Sequence, residues 1–167
     1  ILGDRCVTPV EQAQAFSEHI VRMPDCFQAN DDQRRFAAAT PTRRELGLPD
    51  QGFVFCCLNN SYKILPGVFD GWMRLLQNTP GSVLWLLGDN DTARSNLRAH
   101  AQARGVAPER LVFAERRPYD QYLARYRQAD LFLDTLPFNG GTTVSDALWA
   151  GLPVLTQVGD RFAGRMA

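Results

Sequence analysis

The chain has 167 residues, of which 45% are hydrophobic, and its 18 basic side chains balance its 18 acidic ones. A chain of this length forms one domain, or one domain with part of a second, and it can fold without a disulfide scaffold. The balanced charge argues against the broad positive field on which binding to nucleic acid or an anionic membrane depends. No apolar run approaches the roughly 20 residues of a membrane helix, and residues 1–4 lack the features of a secretory signal.

The four cysteines, Cys6, Cys26, Cys56 and Cys57, do not have a spacing typical of a metal site. Cys56 and Cys57 lie in an apolar run, so we expect them on opposite faces of a strand, as small buried side chains. Thiols without an evident partner favour a reducing compartment, and we therefore expect a cytoplasmic protein.

The chain divides into two unequal parts on either side of a polar segment, residues 28–51, which we interpret as a linker because it shows no sustained period. Before it, Thr8 and Pro9 are typical of the first positions of a helix, and they predict a helix over residues 8–22. A single helix cannot bury its own apolar side. We therefore expect residues 1–27 to be the end of a domain that begins earlier.

After the linker, in residues 52–167, short apolar runs alternate with longer helical stretches. The runs predict strands covered on both faces, at residues 53–57, 82–87, 110–113, 131–134 and 153–156. Helices are predicted between them, at residues 66–77, 92–104, 118–127 and 142–150. This order predicts an α/β fold, a Rossmann-like doubly wound parallel sheet. Ligands of such sheets bind at the carboxyl ends of the strands, so the turns there hold the candidate residues.

The turn after the fourth of these strands has features of a phosphate site. Gly140 and Gly141 would let backbone N–H groups approach an anion, while Thr142 and Thr143 add hydroxyls at the start of the next helix. Asp146, one turn into that helix, could accept hydrogen bonds from a ribose diol. The same residues could equally form a plain turn, a helix cap and an acid that complements the helix dipole. The pattern matches neither the dinucleotide-binding glycine motif nor the P-loop.

The turn after the first strand contributes Lys63, whose ammonium could reach a diphosphate across the same crevice, beside the amides of Asn59 and Asn60. A merely solvated lysine is the alternative. Before the third helix, Tyr119 or Tyr122 could stack on a base, or both could pack on the domain as part of a surface helix.

Two histidines, His19 and His100, fall inside predicted helices away from these turns. Neither stands with a serine, cysteine or carboxylate in the arrangement of a nucleophile or a triad. Because no general base is evident, the residues predict a domain that holds a phosphorylated ligand rather than one that completes a reaction.

Four runs of the sequence, in this order, resemble the catalytic region of the O-linked N-acetylglucosamine transferases: FCCLNNSYKILP (55–66), PGSVLWLL (80–87), ADLFLDT (129–135) and FNGGTTVSDALWAGLP (138–153). The resemblance covers nearly the whole chain. Residues 3–5, 16–18 and 23–24 resemble the end of that family's first catalytic lobe, and the remainder resembles most of its second lobe. The resemblance implies a GT-B glycosyltransferase, with two Rossmann-like lobes and a UDP-sugar in the cleft, in which this chain is the second lobe without its C-terminal end.

The resemblance also implies roles for the residues of the two turns. Lys63 matches a lysine that contacts the donor diphosphate, and Asn60 stands where animal members have glutamine. The residues Gly141, Thr142 and Thr143 match a phosphate-binding triplet whose first residue is histidine in the animal enzymes. The charge of the leaving UDP would be balanced by the lysine and a helix N-terminus, without a metal or other cofactor.

For the nucleoside, the resemblance implies that Asp146 is the ribose-binding acid. The positions around the uridine are occupied by Arg117, Tyr119, Tyr122 and Arg125. Both tyrosines replace residues of the animal enzymes, a lysine and a histidine respectively, and these departures resemble bacterial members.

The family places its proposed catalytic base and part of its acceptor surface in the first lobe, usually after tetratricopeptide repeats. The resemblance therefore implies a parent enzyme that transfers N-acetylglucosamine to Ser or Thr of proteins with inversion. Its partners would be a nucleotide sugar, a protein or peptide acceptor, and the first lobe and repeats of the same chain. Two alternatives stay open: a donor such as UDP-glucose or GDP-fucose, the latter as in the related plant-type protein O-fucosyltransferases, and a non-catalytic nucleotide-binding module. Residues 1–167 alone are expected to bind nucleotide at most.

Overall fold

The computed structural model describes residues 1–167 and begins with a small unit of two short parallel strands, β1 (Leu2–Gly3) and β2 (Val21–Arg22). Between them the chain forms one 3₁₀-helix, Val10–Ala15. The α-helix predicted over residues 8–22 is therefore wrong.

The reason lies in long-range contacts that compete with the local helix pattern. The hydroxyl of Thr8 donates to the carbonyl of Asp4 at 2.9 Å instead of capping a helix amide. The amide of Val21 donates to the carbonyl of Ile1 at 2.9 Å, which joins the two strands. Strand pairing thus overrides local propensity here, and His19 lies outside any helix.

A buried carboxylate connects this unit to the segment that follows it. The side chain of Asp4 accepts hydrogen bonds from the amides of Cys6 at 2.7 Å, Val7 at 2.9 Å and Phe27 at 2.8 Å. Burial would raise the pKa of Asp4, but the three backbone N–H groups outweigh burial and hold that pKa below its ordinary value. The start of the connecting segment is thereby attached to the N-terminal strands.

The connecting segment, residues 28–51, contains neither a strand nor an α-helix, and its regular structure is one 3₁₀-helix, Arg44–Leu46. It packs across the rest of the molecule. Arg43 forms an ion pair with Asp130 at 3.0 Å, and the guanidinium of Arg127 lies 4.3 Å from the ring centroid of Phe36. The segment therefore has fixed contacts with the domain, although the domain boundaries expected from the sequence stay a prediction.

The remainder is a parallel α/β domain. Its strands are β3 (Val54–Cys57), β4 (Val83–Leu87), β5 (Leu111–Ala114), β6 (Leu131–Leu133) and β7 (Val154–Leu155). Its helices are α1 (Pro66–Asn78), α2 (Asp91–Ala103), α3 (Tyr119–Arg125) and α4 (Thr142–Trp149). The strands form one five-stranded sheet in the order β5-β4-β3-β6-β7. All neighbours are parallel, which confirms the predicted fold class.

The core covers both faces of this sheet. Strand β3 is buried along its whole length, and Cys56 and Cys57 are both fully buried, as the apolar run predicts. Burial raises the pKa of the Cys57 thiol to about 12, so this sulfur stays protonated and acts as a small apolar group. Helix α1 buries Trp72 and Met73 in the same hydrophobic core. None of the helices is both long and apolar enough to cross a membrane.

Candidate functional site

Two loops leave the sheet at the carboxyl ends of β3 and β6, which are adjacent parallel strands. The first loop passes through a 3₁₀-helix, Ser61–Lys63, into α1, and the second leads from β6 into α4. The chain builds the sheet from β3 towards β5 and then returns to the other side of β3 with β6. A crevice at such a reversal of strand order is where open parallel sheets bind ligands.

The two loops line a cavity of about 430 Å³. We call it the phosphate cavity, after the ligand group that the sequence predicts there. Most of the predicted phosphate-binding residues line it, namely Asn60, Lys63, Gly141, Thr142 and Thr143. Gly140 does not, and its amide donates to Asp134 instead of facing the cavity. Aromatic and apolar side chains complete the wall, namely Phe27, just before the connecting segment, Phe138 of the second loop and Met166. Residues far apart in the sequence are therefore brought to one cavity at the edge of the sheet.

Lys63, the chain's single lysine, carries the positive charge of this cavity. Its ammonium donates to the carbonyl of Asn139 at 2.8 Å and lies 4.1 Å from the ring centroid of Phe138. Partial burial lowers the pKa of Lys63 below its ordinary value, although Asp134 opposes the shift. An ammonium has three donors, so this one retains hydrogen atoms for an anionic ligand.

The N-terminus of α4 borders the same cavity, which Thr142 and Thr143 line. The first amide of this helix with an acceptor is that of Ser145, which donates to the carbonyl of Gly141 at 3.0 Å. The amides of Thr142, Thr143 and Val144 have no acceptor within the chain. Free amides at the positive end of a helix dipole form an anion site.

Asn59 connects the two loops of this site through its side-chain amide, a role that the sequence does not indicate. Its amide nitrogen donates to the side chains of Thr135 at 2.9 Å and Asp134 at 3.3 Å. Its amide oxygen accepts the hydroxyl hydrogen of Thr143. Since that hydrogen is already engaged, Thr143 can offer an anion its backbone amide but not its hydroxyl proton.

Asp134 is a residue that the sequence reasoning did not single out. One of its oxygens accepts the amide of Gly140 at 2.7 Å and the side-chain amide of Asn59, and the other accepts the hydroxyl of Thr156 at 2.8 Å. The carboxylate therefore holds the loop between β6 and α4 in place. The feature of the sequence that could have identified Asp134 is an acidic residue directly after a buried strand.

Asp146, the candidate ribose acid, does not line the phosphate cavity. It is 2% exposed, and its Oδ1 accepts the hydroxyl of Tyr119 at 2.7 Å and Nη1 of Arg34 at 2.8 Å. Its Oδ2 accepts no hydrogen bond within the chain. The sequence reasoning missed Arg34, because no local pattern links a residue of the connecting segment to α4.

The two candidate arginines lie in a second cavity, of about 220 Å³, at the carboxyl end of β5. Arg117 and Arg125 both line it. Nη1 of Arg125 donates to the carbonyl of Glu115 at 2.7 Å, and burial lowers the pKa of Arg125. The Nε of Arg125 and the Nε1 of Trp85 are buried without a partner. This cavity thus has polar donors that the chain itself does not satisfy.

Stacked tyrosine rings lie between Arg125 and Asp146. The ring centroids of Tyr119 and Tyr122 are 6.0 Å apart, and Tyr119 reaches Asp146. Tyr122 is fixed by a 2.6 Å hydrogen bond to Tyr126 and by the guanidinium of Arg125, 4.8 Å from its ring centroid. Tyr119 is 48% exposed, so it is the ring with a face available to a ligand.

No three or more His, Cys, Asp and Glu side chains come together as metal ligands would.

Comparisons with known proteins identify the family of the chain. Residues 36–167 match Glycosyl transferase family 41. The probable UDP-N-acetylglucosamine–peptide N-acetylglucosaminyltransferase SEC of Arabidopsis thaliana is 34% identical over 172 residues, which cover 100% of this chain and 18% of that protein. The UDP-N-acetylglucosamine–peptide N-acetylglucosaminyltransferase of Caenorhabditis elegans is 38% identical over 126 residues, which cover 75% of this chain and 11% of that protein.

A solved structure extends the similarity to the fold. A mutant of the Thermobaculum terrenum O-GlcNAc transferase matches with a TM-score of 0.82 and 33% identity, over 99% of this chain and 31% of that one. The chain thus spans less than a third of the relatives described. Because the family match covers most of the sequence and the solved relative shares its fold almost from end to end, the chain belongs to glycosyl transferase family 41.

Proposed function

We propose that this chain is the donor-binding part of an inverting protein O-glycosyltransferase, which transfers N-acetylglucosamine from UDP-N-acetylglucosamine to Ser or Thr hydroxyls. The observation that carries the proposal is the convergence of Lys63 and the free amides of α4 on one cavity. Membership of family 41 supports it, as do the activities named for the Arabidopsis and Caenorhabditis relatives.

In this proposal the cavity holds the diphosphate of the donor. Lys63 and the amides of Thr142, Thr143 and Val144 neutralise the charge that develops on UDP as the glycosidic bond breaks. Asn60, in the same wall, adds an amide to the diphosphate or the sugar. Fixed donors of this kind replace the metal ion that other enzymes place on a leaving diphosphate, so we expect no cofactor.

The nucleoside would lie beyond the first turn of α4. The free Oδ2 of Asp146 can accept a ribose hydroxyl, and the exposed face of Tyr119 can stack on the base. The cavity of Arg117 and Arg125 would then receive the polar edge of the base, since the Nε of Arg125 and the Nε1 of Trp85 have no acceptor in the chain.

The remaining parts of the reaction are assigned to other regions of the parent protein. The phosphate cavity has no histidine or carboxylate placed as a general base among its lining residues. We infer that the base and the acceptor surface belong to the first catalytic lobe, and that tetratricopeptide repeats precede it.

The four free cysteines fit a reducing compartment such as the cytoplasm.

A calorimetric titration with UDP tests the diphosphate site. A charge-assisted hydrogen bond contributes about 1.5–3 kcal/mol, so Lys63→Ala should weaken UDP binding by roughly 10- to 150-fold. Arg35→Ala is the matched control, because Arg35 is exposed and forms no ion pair. Unchanged affinity in Lys63→Ala would remove the proposed role of the lysine.

The ribose contact is tested with UDP and its 2′-deoxy analogue. Asp146→Asn should weaken the binding of UDP more than that of the analogue, because the analogue lacks one hydroxyl that the carboxylate accepts. An equal loss for both ligands would exclude Asp146 as the ribose acid.

The donor itself is identified by titrating the full-length protein with UDP-N-acetylglucosamine, UDP-glucose and GDP-fucose. We expect the first to bind tightest. Tighter binding of GDP-fucose would favour a fucosyltransferase, and nucleotide binding without any transfer to peptides would favour a non-catalytic module.

A further inference from the structure

We propose that Arg34, in the connecting segment, is a positioning residue that orients Asp146 so that its free oxygen meets the ribose of the nucleotide. This inference rests on the proposed function and deepens it, because it adds a specificity-determining residue from outside the two crevice loops. Four observations carry it: the burial of the Arg34–Asp146 pair, the anchoring of Arg34, the attachment of its segment to α4, and the unequal use of the two carboxylate oxygens.

The guanidinium of Arg34 is held on several sides. Its side chain is 7% exposed, and its Nη1 donates to Asp146 at 2.8 Å and to the hydroxyl of Ser145 at 3.2 Å. Its Nε donates to the carbonyl of Asp31 at 2.7 Å, and its Cζ lies 4.8 Å from the ring centroid of Trp149. An arginine with this many contacts keeps one orientation, unlike an exposed surface pair.

The backbone around Arg34 is attached to the same helix. The hydroxyl of Ser145 donates to the side-chain oxygen of Asn30 at 2.6 Å, and the indole of Trp149 donates to the carbonyl of Arg34 at 3.3 Å. The segment therefore contacts α4 at three positions, Ser145, Asp146 and Trp149, which lie on one stripe of the helix. The guanidinium is placed by this attachment as well as by its own hydrogen bonds.

Asp146 needs such a partner because its carboxylate is almost completely removed from water. A buried carboxylate without a cation is costly, and a neutral phenol such as that of Tyr119 does not compensate its charge. Arg34 and Tyr119 both bind Oδ1 and leave Oδ2 without a partner. The two oxygens of a carboxylate are equivalent, so these contacts fix the orientation of the group and keep one of its oxygens free for a ligand.

The opposite interpretation is that Arg34 blocks Asp146 and must leave before a nucleotide binds. The free Oδ2 favours positioning, since a blocking contact would be expected to occupy the oxygen that the ribose needs. The two interpretations predict opposite changes in affinity when Arg34 is replaced.

The test is a calorimetric titration of the full chain with UDP, 2′-deoxy-UDP and inorganic pyrophosphate. Arg34→Met should weaken UDP binding about tenfold, weaken 2′-deoxy-UDP less, and leave pyrophosphate unchanged, because it misorients only the ribose acid. Arg34→Lys keeps the charge and should recover part of the loss. Arg35→Met removes a neighbouring exposed charge and should change none of the three affinities.

A second comparison shows whether Arg34 acts through Asp146. In an Asp146→Asn background, adding Arg34→Met should cause no further loss of UDP affinity. This double variant removes both members of the buried pair, so it remains informative if Arg34→Met alone does not fold.

Three results would overturn the positioning role: unchanged UDP affinity in Arg34→Met, an equal loss for all three ligands, or a further loss in the double variant. Tighter UDP binding in Arg34→Met would show instead that Arg34 blocks Asp146. A wild-type chain that binds pyrophosphate but neither nucleotide would overturn the proposed function, and that outcome is distinct from a wild-type chain that binds UDP regardless of Arg34.

Discussion

At the scale of single residues, the charge of the phosphate cavity depends on one amine. Lys63 lies between the carbonyl of Asn139 and the ring of Phe138, and partial burial lowers its pKa. Arginine would keep its charge at any accessible pH, whereas a partly desolvated lysine loses its proton more easily than a solvated one. The affinity of the site for a diphosphate should therefore depend on pH.

We expect the affinity for UDP to fall as the pH rises from neutrality towards 10.5, the ordinary pKa of lysine. The protonated amine binds the diphosphate, and the pKa of Lys63 in the ligand-free protein lies below its ordinary value of 10.5. As the pH passes through that pKa, the ammonium loses its proton and its attraction for phosphate. Dissociation constants measured by calorimetry across this range provide the test.

Lys63→Arg is the control for this pH dependence, because its guanidinium stays charged throughout the range. Burial and the carboxylate of Asp146 raise the pKa of Tyr119, so its phenol does not add a negative charge in the same range. An identical decline of affinity in wild type and in Lys63→Arg would show that another group titrates.

At the scale of secondary-structure elements, the start of α4 and the loop before it form one unit. Asp134 holds the amide of Gly140, and Asn59 of the neighbouring loop holds the hydroxyl of Thr143. The two loops are thus linked by side chains as well as by adjacent strands. The free amides of the helix depend on this arrangement for their direction.

The two glycines of the loop should respond differently to alanine. A Cβ on Gly140 would lie 2.5 Å from Oγ1 of Thr143 and 2.9 Å from Oδ1 of Asn59, whereas a Cβ on Gly141 would first meet Oε1 of Gln28 at 3.1 Å. Gly140→Ala should therefore displace the Thr143–Asn59 contact and cost about 1–3 kcal/mol of stability. Gly141→Ala should cost little stability, because the end of the half-buried Gln28 side chain can move.

Pyrophosphate titration and thermal denaturation of both glycine variants measure this difference. We expect Gly140→Ala to lose pyrophosphate affinity and melting temperature together. A larger drop in melting temperature in Gly141→Ala than in Gly140→Ala would contradict the loop geometry.

At the scale of the whole molecule, the proposed nucleotide crevice belongs to the α/β domain but is covered partly by other segments. Phe27 and Gln28 of the chain before the domain line the phosphate cavity, as does Met166. The Asp4 carboxylate binds the amide of Phe27, so the N-terminal strands contribute indirectly to this wall. Our proposal assigns binding and catalysis to different parts of the parent protein, since the candidate donor contacts lie in this chain and no general base is evident among them.

We expect residues 1–167 to bind UDP without transferring sugar. Glycosyl transfer needs donor and acceptor held together in a closed cleft with little water, and the proposal assigns the base and the acceptor surface to the first lobe. The measurement is UDP titration together with transfer of N-acetylglucosamine to a peptide mixture, with the full-length protein as the reference. Transfer by residues 1–167 at the rate of the full-length protein would contradict the assignment of catalysis to the first lobe.

The sequence by itself determined the α/β class, the five strands of the sheet and the two turns that form the phosphate cavity. Buried strands and helices leave local periods and caps in the sequence, and a parallel sheet brings the carboxyl ends of its strands to one edge. Only the tertiary structure decided that residues 21–22 pair as a strand, and that Arg34 meets Asp146 across 112 positions of sequence. Contacts of this kind depend on how an irregular segment packs over a finished domain, and packing of that sort leaves no period in the sequence.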